Sequence, residues 1–100
     1  MGVGVTGGRR AVHLTVRGRV QGVGYRWFAA RAAIELGILG WVRNAMDGSV
    51  ELVASGDAAI VDEFIEVLRR GPAHARVDDV AVEDRPSALA DDYAEFEIVR

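Results

Sequence analysis

The stretch Gly18-Arg19-Val20-Gln21-Gly22-Val23-Gly24-Tyr25-Arg26 places three glycines and two arginines between a strand-like run and a helix-like run. Glycine takes left-handed backbone angles without a Cβ penalty, so successive N–H groups in such a loop turn toward one point and cup an anion. A helix beginning at Tyr25 adds amides that lack intrahelical acceptors, together with the positive end of the helix dipole. Arg26, in the first turn, supplies a guanidinium that can grip two phosphate oxygens at once. The chemistry expected of this segment is the binding of a small anion. The other reading is a plain Gly-rich connection with a solvated arginine. Two familiar phosphate loops do not fit: no Gly-Lys-Ser/Thr follows, and the parallel strand–helix–strand setting of a dinucleotide fingerprint is missing.

The remaining polar residues offer less. The chain has no cysteine, and its two histidines, His13 and His74, are far apart with no nearby ligand pairing, so no metal and no cofactor is expected. Asp78-Asp79 and Asp91-Asp92 look like paired carboxylates, but neighbouring acids on a strand point to opposite faces. Asn44 reads first as a hydrogen-bonding residue near a hairpin end. Trp27 and Trp41 are expected to pack rather than to stack on bases.

These groups need a scaffold, and periodicity supplies one. Residues 12–19 alternate, with Val12, Leu14 and Val16 set against His13, Thr15 and Arg17, as in a half-buried strand. From Tyr25 the period becomes helical through Phe28, Ala29, Ala32 and Leu36, with Arg31 and Glu35 opposite and Gly37 as the stop. Strands over about 38–45 and 49–55 flank Met46-Asp47-Gly48, and Asp-Gly is a strong hairpin signal. A second helix over about 58–69 has Asp57 as N-cap, a stripe of Val61, Phe64, Ile65 and Leu68, and Gly71-Pro72 as its end. Residues 76–83 and 93–99 read as further strands, with Asp84–Asp92 as a polar loop. The order β-α-β-β-α-β plus a terminal strand predicts an α+β ferredoxin-like sandwich, an antiparallel sheet with two helices on one face. Many functions occupy that fold.

One hundred residues make one domain, here 11–100, behind a Gly-rich leader at 1–10 expected to be flexible. The leader loosely fits a myristoylation pattern and Arg9-Arg10 a twin-arginine signal, but the residues that follow alternate rather than forming an apolar run. No run approaches the roughly 20 apolar residues of a membrane span. A soluble, cytoplasmic protein without membrane partners is expected. Net charge is −3, unevenly spread: residues 1–34 hold six arginines and no acid, and the rest holds six arginines and fifteen acids. An anionic ligand is expected at the first third.

Taken together, Val16-x-Gly18-x-Val20-Gln21-Gly22-Val23-x-Tyr25-Arg26 resembles the first signature of the acylphosphatase family. Gly40-Trp41-Val42-Arg43-Asn44-x-x-x-Gly48-x-Val50, followed by Gly56, resembles the second. Gly71-Pro72, Ala75-Arg76-Val77-Asp78 and Phe96-x-Ile98 are similar to later family segments, so the resemblance runs from about residue 11 to the end. Tyr25 departs from the phenylalanine more common in the family, a change expected to affect packing beneath the loop.

The resemblance implies a metal-independent hydrolase that splits small acyl phosphates into a carboxylate and inorganic phosphate. It implies that Arg26 and the loop of Arg19, Val20, Gln21, Gly22, Val23, Gly24 and Tyr25 bind the phosphoryl group. It also implies that Asn44 orients the attacking water. A monomer is expected. An RNA-binding module of the same topology is disfavoured, because Ser49-Val50-Glu51-Leu52-Val53-Ala54 has no aromatic residue and carries an acid. A non-catalytic module that binds a small anion would keep the loop and Arg26 without needing Asn44. Acylphosphatase-like domains also open larger carbamoyl-transfer proteins. The absence of zinc-finger cysteines and the chain's ending with the domain favour the freestanding enzyme.

Overall fold

The computed structural model describes residues 8–86 and 93–100. Along the chain run β1 (Arg9–Arg19), α1 (Tyr25–Leu36), β2 (Leu39–Asn44), β3 (Val50–Asp57), α2 (Ala58–Arg70), β4 (Arg76–Arg85) and β5 (Phe96–Ile98). The strands form one sheet in the order β4-β1-β3-β2-β5. β1 pairs antiparallel with both β3 and β4, and β2 with β3. Each helix therefore crosses between two parallel strands that have one strand slotted between them, the ferredoxin-like arrangement expected from the sequence.

Alternation decides which side of the sheet is dry. Val12, Leu14 and Val16 sit opposite Ala54, Leu52 and Val50, and Val42 sits opposite Leu52. All of them are buried in one core with Val61, Phe64, Ile65 and Leu68 of α2 and with Tyr25, Ala29, Ala30 and Ala33 of α1. No helix among the described residues is long and apolar enough to cross a membrane.

The helix ends follow their sequence signals. Gly37 takes φ 72°, its N–H donates to the Ile34 carbonyl at 3.2 Å, and that of Ile38 donates to Ala33 at 2.8 Å. That is a Schellman closure, which uses the left-handed conformation glycine adopts most easily. Asp57 caps α2 by accepting from the Ala59 amide at 3.0 Å.

Several boundaries differ from expectation. β1 begins at Arg9, inside the stretch assigned to the leader, and residues 1–7 lie outside the described residues. The last strand is shorter than 93–99 and pairs parallel with β2, so the sheet is mixed rather than wholly antiparallel. β4 runs on through Asp84 and Arg85, because they pair with Val12 and Ala11. Of the loop predicted over 84–92, residues 87–92 lie outside the described residues.

The larger correction is Trp27, expected to pack and instead 73% exposed. It lies two residues from both Tyr25 and Ala29, about 200° around the helix from each. It therefore shares the outward face of Arg31 and Glu35. Trp41 is half-buried on the strand, with the Arg43 guanidinium 5.3 Å from its ring centre.

Tyr25 does more than fill space. Its hydroxyl donates to the Leu68 carbonyl at 2.8 Å, one of the α2 C-terminal acceptors left without an intrahelical partner. Burial pushes the phenol above its usual pKa, so it stays a donor. Tyr25→Phe should lower the unfolding free energy by about 1 kcal/mol. Urea denaturation should show a lower midpoint with an unchanged slope, and an unchanged midpoint would contradict the capping role.

Candidate active site

The loop leaves β1 just beyond a register shift in the β1–β4 pairing between Arg17 and Gly18. Gly22 and Gly24 then take φ 76° and 81°, and no atom lies within 4 Å of where their Cβ atoms would be. Side chains there would be strained by backbone angle rather than by crowding. Gly24 is the N-cap of α1 and makes no side-chain cap bond, and no acidic residue occupies the first turn. The first helix amide seen to bond is that of Phe28, which donates to Gly24 at 3.0 Å. Residues 21–24 form tight turns, and among the described residues none of the amides of residues 20–27 makes a well-formed backbone hydrogen bond. A row of unpaired donors at a helix N-terminus is a strong anion site.

Arg26 stands half-buried at the start of this helix. The first third's arginines are less free than their acid-free sequence suggests. Arg10 meets Asp62 and Asp84, Arg17 meets Asp47, and Arg31 meets Glu35. Arg26 makes no ion pair among the described residues, so its charge is available to a ligand.

Asn44 closes β2, opposite Val50. Its Oδ1 is buried and has no hydrogen-bond partner among the described residues. Leaving a buried acceptor unpaired costs about 1–3 kcal/mol. Asn44 joins Val20, Gly22, Gly24, Tyr25, Arg26 and Trp27 in lining a cavity of about 220 Å³.

Two segments distant in sequence thus meet, and Gln21 fastens them. Its Nε2 donates to the carbonyls of Ala45 and Ser49, each at 2.8 Å. The hairpin is itself braced. The Ala45 amide donates to Ser49 at 2.9 Å, and Asp47 Oδ1 accepts from the Ser49 amide at 3.0 Å and its hydroxyl at 2.6 Å. Asp47 Oδ2 also accepts from Arg17 at 3.0 Å. The turn is longer than a two-residue Asp-Gly turn, with only Gly48 in the left-handed region, at φ 94°. Ser49's two donations and Arg17 hold the Asp47 carboxyl down at about 2.

The sequence-predicted residues separate by role. Arg26, Asn44, Gly22 and Gly24 face the cavity. Val20 and Tyr25 line it too, but both side chains are core members, which leaves their backbone to face the ligand. Gln21 ties the loop and does not line the cavity. Val23 packs on the core, and Arg19 is exposed at the end of β1, paired in register with Arg76. Trp27, missed as a site residue, lines the cavity, and its place on the Arg31–Glu35 face was the available signal. Among the described residues no three His, Asp or Glu side chains cluster as metal ligands.

The Acylphosphatase family model matches residues 12–98. An acylphosphatase of Methylococcus capsulatus is 53% identical over 91 residues, spanning 91% of this chain and 97% of that protein. The crystal structure of acylphosphatase from Bacillus subtilis superimposes with a TM-score of 0.86 at 34% identity, covering 91% of this chain and 99% of that one. The fold also recurs within T. kodakarensis HypF, at TM-score 0.78 and 33% identity. There 91% of this chain aligns with only 12% of the larger protein.

Gln21→Leu should weaken binding of inorganic phosphate about tenfold, the equivalent of roughly one lost hydrogen bond. Calorimetric titration checks this, and unchanged affinity would contradict the tie. Asp47 is lowered in the folded state, so its contribution is fully present above 3.8 and fades as the pH falls toward about 2. In urea unfolding at a series of pH values, Asp47→Asn should be less stable than the parent near neutrality and match it at the acid end. A gap independent of pH would count against the charge.

Proposed function

The chain belongs to the acylphosphatase family and is an enzyme that hydrolyses acyl phosphates, and from that premise we propose that Arg26 and the amides of the cavity-lining loop residues hold the phosphoryl group while Asn44 places the attacking water. The observation that carries this assignment is the buried, unpartnered Oδ1 of Asn44, in the wall of the same cavity as Arg26 and the loop glycines.

The chemistry asks for little more. The leaving group is a carboxylate whose conjugate acid has a pKa of about 4, so it departs without a proton donor. Phosphoryl transfer passes through a loose transition state, for which positioning and charge stabilisation supply most of the catalysis. Arg26 and the unpaired amides face the oxygens on which charge is spread. Asn44 has no titrating group and is not a base. Its Oδ1 accepts a hydrogen bond from water and aims the water oxygen at phosphorus. The new P–O bond forms as the acyl–oxygen bond to phosphorus breaks, the carboxylate takes the electron pair, and both water protons end on inorganic phosphate. One chain supplies every group lining the cavity, which supports a monomer acting on a small molecule.

Hydrolysis of acetyl phosphate should proceed in excess EDTA. Arg26→Ala should lower kcat/KM by about a thousandfold, in the range seen when a charge-stabilising donor is removed. Asn44→Ala should lower kcat by about a hundredfold or more while phosphate still binds, because it removes the water's guide and not the anion's. Activity that requires added metal would overturn the mechanism. Full activity of the Arg26 variant would overturn the site.

A further inference from the structure

An acyl phosphate has two ends, and the cavity between the loop and Asn44 meets the needs of one. At about 220 Å³, with backbone, guanidinium and carboxamide around it, the cavity suits a phosphoryl group and its water. The acyl group must extend past its rim. Trp27 stands at that rim. It lines the phosphate cavity, a groove of about 370 Å³ with Arg26, Ile98 and Arg100, and a groove of about 500 Å³ with Ala30, Arg31, Ile34, Phe96 and Ile98.

Burial and periodicity make these grooves more than incidental surface. Among the described residues only four large apolar side chains are exposed, Trp27, Ile34, Met46 and Val82, and two of them wall this region. Trp27, Ala30 and Ile34 follow helical spacing along one face of α1. Ile34 lies about 10 Å down the helix axis from Trp27, so the apolar track leads directly away from the phosphoryl cavity. Arg31, the charged member of the groove, is already paired with Glu35 at 3.7 Å.

We propose that Trp27 and the track floored by Ala30, Ile34, Phe96 and Ile98 bind the acyl group, selecting acyl phosphates with apolar acyl groups larger than acetyl. This rests on the assignment of the phosphoryl end to Arg26 and the loop. An aromatic acyl group stacks on the Trp27 ring, and an extended aliphatic one reaches Ile34.

Steady-state kinetics with acetyl, benzoyl and octanoyl phosphate test it. The unmodified protein should favour benzoyl and octanoyl phosphate over acetyl phosphate. Trp27→Ala should lower both preference ratios by about tenfold, the scale of discrimination an apolar pocket gives. The change should lie in KM rather than in kcat. Ile34→Ser, at an exposed position, should lower the octanoyl ratio alone. No preference in the unmodified protein, or unchanged ratios in the Trp27 variant, would overturn the acyl site while leaving hydrolysis intact. Failure to hydrolyse any of the three would instead overturn the assigned reaction.

Discussion

One carboxamide joins the two halves of the site. The Gln21 side chain, anchored in the glycine loop, donates to Ala45 and Ser49 on a hairpin more than twenty residues away. Neither segment holds its shape through core packing alone, since loops carry few buried contacts. The tie fixes the distance between the amides and Asn44, and the hairpin's own bonds from Asp47 to Ser49 and Arg17 keep the far end from drifting. Positioning of this kind matters most where catalysis is positional.

The site is also a place where the fold leaves its groups unsatisfied. The loop amides make no well-formed backbone hydrogen bond, the Arg26 guanidinium no ion pair and the Asn44 Oδ1 no hydrogen bond among the described residues. Elsewhere the same chain pairs its groups closely. Glu51 accepts from Arg43 at 2.6 Å and sits 2.5 Å from His13, whose hydrogen bond, with Arg43, holds its pKa down. Tyr25 closes the end of α2 from beneath the loop. Concentrating unmet donors and one unmet acceptor in a single cavity is a cost to stability. The core of two helices against one sheet face bears it.

Much of this was legible in the sequence, for identifiable reasons. Alternation gave the strands of the core, and glycine and aspartate at helix ends act through local geometry, so Gly37, Asp57 and Gly71 marked real boundaries. The place of Arg26 in the cavity wall was legible because a glycine loop leading into a helix puts the first-turn residue beside the loop's amides. Asn44 was not, since nothing local distinguishes an asparagine bonded within a hairpin from one whose Oδ1 is left without a partner; only the family signature marked it. Gln21 appeared as one loop residue among several, and its tie depends on a register that spacing does not specify. Trp27 departs from the packing role expected of it because its helical position sets it on the outward face beside Arg31 and Glu35. The parallel pairing of β5 comes from tertiary contact with β2 and has no local signal.

The central claim is that this cavity holds the phosphoryl group and directs water at phosphorus. Hydrolysis of acetyl phosphate in water enriched in oxygen-18 measures that directly, with the products separated and their isotopic content read by mass spectrometry. The account predicts that one labelled oxygen enters inorganic phosphate and none enters acetate. Label in acetate would mean that water attacks the acyl carbon, and would contradict it.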